Sequence, residues 1–391
     1  MADLKTATGL VHSDYVSPAP FGSLTTPIHH ASTVTFPTVA ALRARDWRSD
    51  DIYTYGLAGT PTTYTLEHRL AEIEGGTHCL VTPSGLAAIT LVDLALLKSG
   101  DEVLLPDNVY NPSRELGESL LRGFGVTARY YDPLIGAGIA ALMNEHTRLL
   151  WLEAPGSITM EVPDIPALVA AAKARGVTTA IDNTWAAGLL LRPFDFGIDI
   201  SMQALTKYQS GGSDVLMGAV ITRDRALHER LKLAHMHIGF GVGGDDSYLL
   251  LRGLPSMQVR LRQHEQSALA VAQWLKARPE ITRVLHPALP DCPGHEFWKR
   301  DFKGASGLFS VIFDARFGQE RVDAFIDGLK LFRIGYSWGG AASLAVPYNL
   351  RSIRTATPWS DPGRLVRFYI GLEDAGDLIA DLERSMATAL A

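Results

Sequence analysis

From about residue 60 to 225 the chain alternates amphipathic, helix-like segments with short aliphatic or β-branched runs. Cys79 to Thr82, Glu102 to Leu105, Leu149 to Glu153, Thr178 to Asp182, Ile200 to Ala204 and Met217 to Ile221 read as strands. They are nearly continuous in apolar character, the pattern of a parallel sheet covered on both faces. Between them, Thr62 to Glu74 places Leu66, Leu70 and Ile73 at helical spacing, and Pro163 to Arg175 opens on a proline and is closed by Gly176. Strands joined by helical crossovers define an α/β unit with a mostly parallel sheet. After Tyr248 the texture changes to an Arg- and Leu-rich helical stretch, Leu249 to Ala277, then a strand over Gly307 to Phe313, a helix near Gln319 to Leu329 and a strand over Val366 to Ile370. That sequence of elements predicts a second, smaller α+β domain. Residues 1–60 show little regular pattern and are expected to form an arm that packs on another subunit, which sets expected boundaries of 1–60, 61–248 and 249–391. No period of 20 to 50 residues recurs, so solenoids and propellers are excluded.

Composition narrows the function class. At 391 residues, 47% hydrophobic and 20% charged, the chain is long enough to bury a large core without disulfides or metal. Lys and Arg total 36 against 42 Asp and Glu, and a net charge of -6 lacks the basic excess that a phosphate backbone requires, so nucleic acid is not an expected partner. Cys79 and Cys292 form neither a CxxC pair nor a ligand cluster, and a reducing cytoplasm is the expected location. The N-terminal stretch lacks an apolar segment of signal-peptide length, and the oily run from Leu86 to Leu97 is interrupted by Asp93 and too short to span a bilayer; no membrane association is expected. His29-His30 and His295-Glu296 lack the partner one helical turn away that a metal site needs. Gly239 to Gly244 satisfies GxGxxG by letter, but a helix-like segment, Arg225 to His235, precedes it where a dinucleotide site requires a strand, and a loop is expected there.

Three motifs carry chemistry. Lys207 follows the apolar run at Ser201 with Thr206 directly before it. Twenty-five residues upstream, Asp182 ends another apolar strand, with Thr184 two positions on, at the edge where open α/β sheets gather ligands. A lysine able to form a Schiff base and a carboxylate able to hold a pyridinium nitrogen are the pair that pyridoxal phosphate (PLP) chemistry demands. Thr82-Pro83-Ser84-Gly85-Leu86 supplies a strand end, a turn and a helix start; Ser84 caps that helix and the amides of Gly85 and Leu86 are left to face an anion.

With those motifs in hand, the chain resembles the Cys/Met-metabolism family of fold-type-I PLP enzymes, in particular its bacterial cystathionine β-lyase branch. The specific stretches are Tyr131 to Ala137, Pro155 to Glu161, Ile181 to Gly188, His295 to Asp301 and Tyr336 to Gly340, and the likeness runs from Thr26 to Asp374. The resemblance implies an aspartate-aminotransferase-like fold: a large domain with a mostly parallel seven-stranded sheet and a smaller C-terminal α+β domain. It implies that Lys207 holds PLP and acts as the base, Asp182 pairs with the ring nitrogen beside Thr184, and Ser84, Thr206 and the amides of Gly85 and Leu86 bind the phosphate. It further implies that Tyr110 stacks on the ring, Arg367 grips the substrate α-carboxylate, Ser337 and Trp338 wall the substrate side, and Tyr55 reaches the phosphate and substrate of a neighbouring subunit.

The activity so implied is β-elimination of L-cystathionine to homocysteine, pyruvate and ammonia in methionine biosynthesis, by a homotetramer of two catalytic dimers with shared sites. A cysteine-S-conjugate β-lyase of broader specificity, or a γ-acting cystathionine γ-synthase or γ-lyase, are the alternatives. Three positions depart from the family pattern: Leu57 stands where an arginine is usual, Ala204 where relatives often carry a phosphate-binding serine, and Gly212 where a histidine is usual.

Overall fold

The computed structural model describes residues 5–12, 15–49, 52–351 and 353–391. A seven-stranded sheet is built from β1 (His78–Thr82), β2 (Glu102–Pro106), β3 (Thr127–Tyr131), β4 (Thr147–Glu153), β5 (Thr178–Asp182), β6 (Ile200–Ala204) and β7 (Gly218–Thr222), in the order β1-β7-β6-β5-β4-β2-β3. All pairs are parallel except those made by β7, which runs antiparallel to both β1 and β6. The sheet is therefore mostly parallel, as expected. The side-chain period of two explains the unbroken apolar runs: on β4, Leu150 and Leu152 enter one core with Leu66, Leu70 and Leu168, while Leu149 and Trp151 enter another with Ala88, Leu91 and Val92. Helices thus cover both faces: Pro61–Glu74, which leads into β1, and the crossovers Gly85–Leu96 and Ile165–Ala174 supply that cover.

A second, antiparallel sheet contains β8 (Ile281–Leu285), β9 (Leu308–Phe313), β10 (Leu344–Tyr348) and β11 (Arg364–Tyr369), ordered β10-β11-β9-β8. Its core holds Phe309, Val311, Phe313, Val366 and Phe368, packed by helices Gln319–Asp327 and Ala375–Ala389. The long helix spans Gly244–Lys276 and carries Pro255 inside it; it begins before Leu249, so the change of texture at Tyr248 falls within a helix. Its start coincides with the last glycine of the GxGxxG string, but the element before that string is the helix Arg225–Ile238, which ends on left-handed Gly239.

Strand directions fix where chemistry gathers. Because β1 and β6 both run antiparallel to β7, they run parallel to each other, and Thr82 and Ala204 both register on Gly218. Glu153 registers on Asp182 in the β4–β5 pair. The C-terminal ends of β1, β4, β5 and β6 therefore share one sheet edge, the edge at which parallel sheets place their ligands.

Candidate active site

A cleft of about 680 Å³ opens at that edge. Ser84, Gly85, Leu86, Asp182, Thr184, Thr206 and Lys207 line it from the large sheet, joined by Tyr110. Ser337, Trp338 and Arg367 line it from the second sheet and the loop before it. Tyr55 does not: it lies in the N-terminal segment, 52% exposed, outside the cleft of its own chain.

The helix start after β1 has the local geometry its sequence requires. Ser84 Oγ accepts the Ala87 amide at 3.0 Å, and the first-turn amides of Gly85 and Leu86 have no carbonyl within the helix to bond. Gly85 packs so closely on β6 that a Cβ there would lie 2.6 Å from the Cβ of Ala204. A side chain at 85 would fill the cradle between helix start and sheet edge, and the small Ala204 keeps that approach tight.

Asp182 stands half-buried at the end of β5 with its Oδ1 accepting the Thr184 amide at 2.9 Å, while Thr184 Oγ1 accepts the Ala204 amide at 2.9 Å and ties β5 to β6. Burial pushes the Asp182 carboxyl up, opposed by the bonds from Thr184 and by the Lys207 ammonium. Lys207 Nζ donates to Ser337 Oγ at 2.8 Å and stands 5.4 Å from the centre of the Trp338 ring. Burial, reinforced by the Arg367 cation and opposed by Asp182, brings the amine down to about 8. Ser337 holds φ at 85°, a left-handed conformation that costs a non-glycine residue about 1 to 3 kcal/mol. Gly339 lies so near the Lys207 backbone that a Cβ would come within 2.6 Å of its carbonyl carbon, so that close approach requires glycine.

Arg367 is only 7% exposed, its guanidinium 5.0 Å over the Tyr348 ring, and it has no hydrogen-bond or ion-pair partner among the described residues. Burial pushes its pKa down, with Tyr348 and Tyr110 opposing. A buried fork of N–H donors facing a cleft without a partner has the geometry to accept a carboxylate.

Sequence reasoning missed Glu153. It is buried beside Asp182, lines the cleft, and its Oε2 accepts the Tyr110 amide at 2.7 Å. Burial and the Asp182 charge push its carboxyl well up. Its place as the last residue of the Leu149 to Glu153 run, in step with Asp182, was the available signal. Glu74 lies behind the sheet edge and had no local signal: it accepts from Asn183 Nδ2 at 2.8 Å, Gln203 Nε2 at 2.5 Å and Ser201 Oγ, fastening the strands that carry Asp182 and Lys207.

An α/β sheet edge carrying a half-buried lysine opposite a half-buried aspartate, with a capped helix start and an unpaired arginine, defines an enzyme cleft for an anionic cofactor and an amino acid. Residues 7–387 match the Cys/Met metabolism PLP-dependent enzymes, and the chain belongs to that family. It is 42% identical to the cystathionine β-lyase of Escherichia coli over 99% of both chains, and 41% identical to that of Salmonella typhimurium over 99% of both. Among solved structures, cystathionine γ-synthase from Xanthomonas oryzae pv. oryzae superposes with a TM-score of 0.90 at 32% identity, covering 99% of both chains. The fold is that of the fold-type-I PLP enzymes, and PLP is the cofactor that family membership assigns. The free helix-start amides, the Gly85 cradle and the Asp182–Lys207 pair fit it. Among the described residues, no helix is long and apolar enough to cross a membrane.

Proposed function

We propose that this chain cleaves L-cystathionine by β-elimination, giving homocysteine, pyruvate and ammonia with uptake of one water, as a step of methionine biosynthesis. The observation that carries the reading is the pairing, across one cleft, of Lys207 with the buried, unpartnered guanidinium of Arg367. The names of the 41–42% identical relatives support the choice of substrate.

When bound, PLP supplies an electron sink conjugated to the substrate Cα. Ser84, Thr206 and the amides of Gly85 and Leu86 would hold its phosphate, Asp182 backed by Thr184 its ring nitrogen, and Tyr110 its face; Lys207 would anchor it. Arg367 takes the α-carboxylate in the cleft that Lys207 also lines. Lys207 moves that proton: burial brings the amine to about 8, so near neutral pH a useful fraction is free to act as base. The Cβ–S bond then breaks with its electron pair leaving on sulfur as the homocysteine thiolate, which is protonated from solvent. Ser337 steers Nζ through its hydrogen bond, and Trp338 closes the side next to it.

The same reading extends to organisation: an arm over 1–60, a cofactor-binding domain over 61–248 and a small domain over 249–391, assembled as a cytoplasmic homotetramer of two catalytic dimers. Its support is that Tyr55 stands exposed outside its own cleft, while the arm bears exposed Val16, Phe21 and Leu24 that need cover. Holoenzyme given L-cystathionine should release thiol and keto acid in equal amounts, and the Lys207→Ala protein neither. Enzyme that retains PLP yet releases no thiol refutes the reading.

A further inference from the structure

Three residues before Tyr110, Asp107 lies at the end of β2 with a side chain sealed from solvent. Everything that bonds to it across the domain comes from one distant segment. Its two oxygens accept the Thr355 amide at 3.0 Å, the Thr357 amide at 2.7 Å, both threonine hydroxyls at 3.2 and 3.1 Å, and Arg354 Nε at 3.3 Å. Arg114, on the helix that follows Tyr110, completes the shell at 2.7 Å. Arg354 also reaches Glu161 at 3.1 and 3.2 Å, and Glu161 accepts from Asn108 at 2.7 Å. Two carboxylates and two guanidiniums are thus buried together with their charges balanced.

Such a cluster is weak support for stability, because removing four charges from water offsets most of their attraction; fixing one arrangement of the chain is its better-attested use. What it fixes here is specific. The bonded segment continues directly from Asn349 and Ile353, which line the cleft, and from Tyr348, which carries Arg367 on its face. At the other end, Asn108 accepts the Ser157 amide with its carbonyl and leads to Tyr110, and both Ser157 and Tyr110 line the cleft. Asp107 and Arg354 themselves do not line it. We propose that Asp107, through Arg354, Thr355 and Thr357, is a positioning residue that sets the spacing between Tyr110 and the wall formed by Asn349 and Ile353, and so the length of substrate side chain that the cleft accepts. This rests on the reading of the cleft as an amino-acid site. Burial opposes the charge on Asp107, but the amides of Thr355 and Thr357 and the two guanidiniums outweigh it and hold the carboxyl down to about 2, so the latch stays charged through the working range of pH.

The test compares a long and a short amino acid, L-cystathionine and S-methyl-L-cysteine, on holoenzyme, with both KM and kcat measured alongside the dissociation constant from the cofactor's absorbance change. Asp107→Asn turns an NH2 group toward at least one set of donors and should loosen the wall. The KM and dissociation constant for L-cystathionine should rise about tenfold, the scale of selectivity that pocket walls provide, with kcat, the constants for S-methyl-L-cysteine and PLP retention all within about twofold. Thr357→Val removes one hydroxyl and leaves every charge in place; it should give the same split at about threefold, and it carries the test if Asp107→Asn does not fold. Equal losses for both amino acids, parallel loss of PLP, or no change in either variant overturns the proposal. A parent enzyme that binds both amino acids but turns over neither would refute the lyase reading, while the dissociation constants still decide the latch.

Discussion

Replacing Arg367 by methionine should make the substrate-free enzyme more stable and the reaction far slower. In the free protein the guanidinium is buried with no ion pair or hydrogen bond among the described residues; the Tyr348 face meets it, and Tyr110, Tyr336 and Glu153 act on it from further off. An uncompensated buried ion costs several kcal/mol even after relaxation, and a desolvated cation–π contact returns about 2 kcal/mol. Methionine refills the volume of the stem, so Arg367→Met should gain about 1 to 2 kcal/mol, the difference of those terms. In catalysis the sign reverses. Each charge-assisted hydrogen bond to the substrate carboxylate contributes about 1.5 to 3 kcal/mol, and a bidentate pair about 3 to 6, or about two to four decades in kcat/KM at 1.4 kcal/mol per decade. Urea unfolding of holoenzyme without substrate reads the first effect and steady-state kinetics the second. A variant that loses more than about 1 kcal/mol while keeping kcat/KM within tenfold of the parent would show Arg367 to be a structural cation.

The remaining predictions concern the lysine, the subunit arm and the phosphate. In cofactor-stripped protein the native state holds the Lys207 amine at about 8 whereas the unfolded chain holds it near 10.4, so the native state binds fewer protons between those values and stability should rise with pH across that window. Lys207→Met should flatten the rise, and urea midpoints that are flat in the parent would contradict the depressed amine. Mixing inactive Tyr55→Asp and Lys207→Ala proteins after reversible dissociation should restore part of the activity, because hybrid dimers contain one unspoiled site; demonstrable hybrids without activity would show that each cleft is built from one chain. Leu57, which packs against Gly241, is apolar where the resemblance implies a guanidinium, and the donors at the helix start are neutral. Leu57→Arg should slow PLP loss in equilibrium dialysis about tenfold, from one added charged hydrogen bond, and equal retention would show that the phosphate charge is compensated elsewhere.

How much of this was legible in the sequence depended on burial. The observed bounds of β5 and β6 are legible because a strand covered on both faces keeps small, β-branched or aliphatic residues along its buried centre. β3, Thr127–Tyr131, escaped because it is the sheet's edge and leaves Thr127, Ala128, Arg129 and Tyr130 only partly covered. β10 escaped because Pro347 sits inside it, tolerated on the edge of the second sheet where no further strand needs its missing N–H. Lys207 and Asp182 stood out because each ends an apolar run. Arg367 did so only through resemblance, since an arginine inside a strand reads locally as a surface ion pair. The Asp107–Arg354 latch was invisible, because its partners are about 250 positions apart and nothing local marks either one.

The most direct measurement is the identity of the keto acid released from L-cystathionine by the PLP-loaded enzyme, resolved by mass spectrometry alongside the thiol. Cleavage at Cβ predicts pyruvate with homocysteine in equal amounts; 2-oxobutyrate with cysteine would mean cleavage at Cγ and would contradict the account.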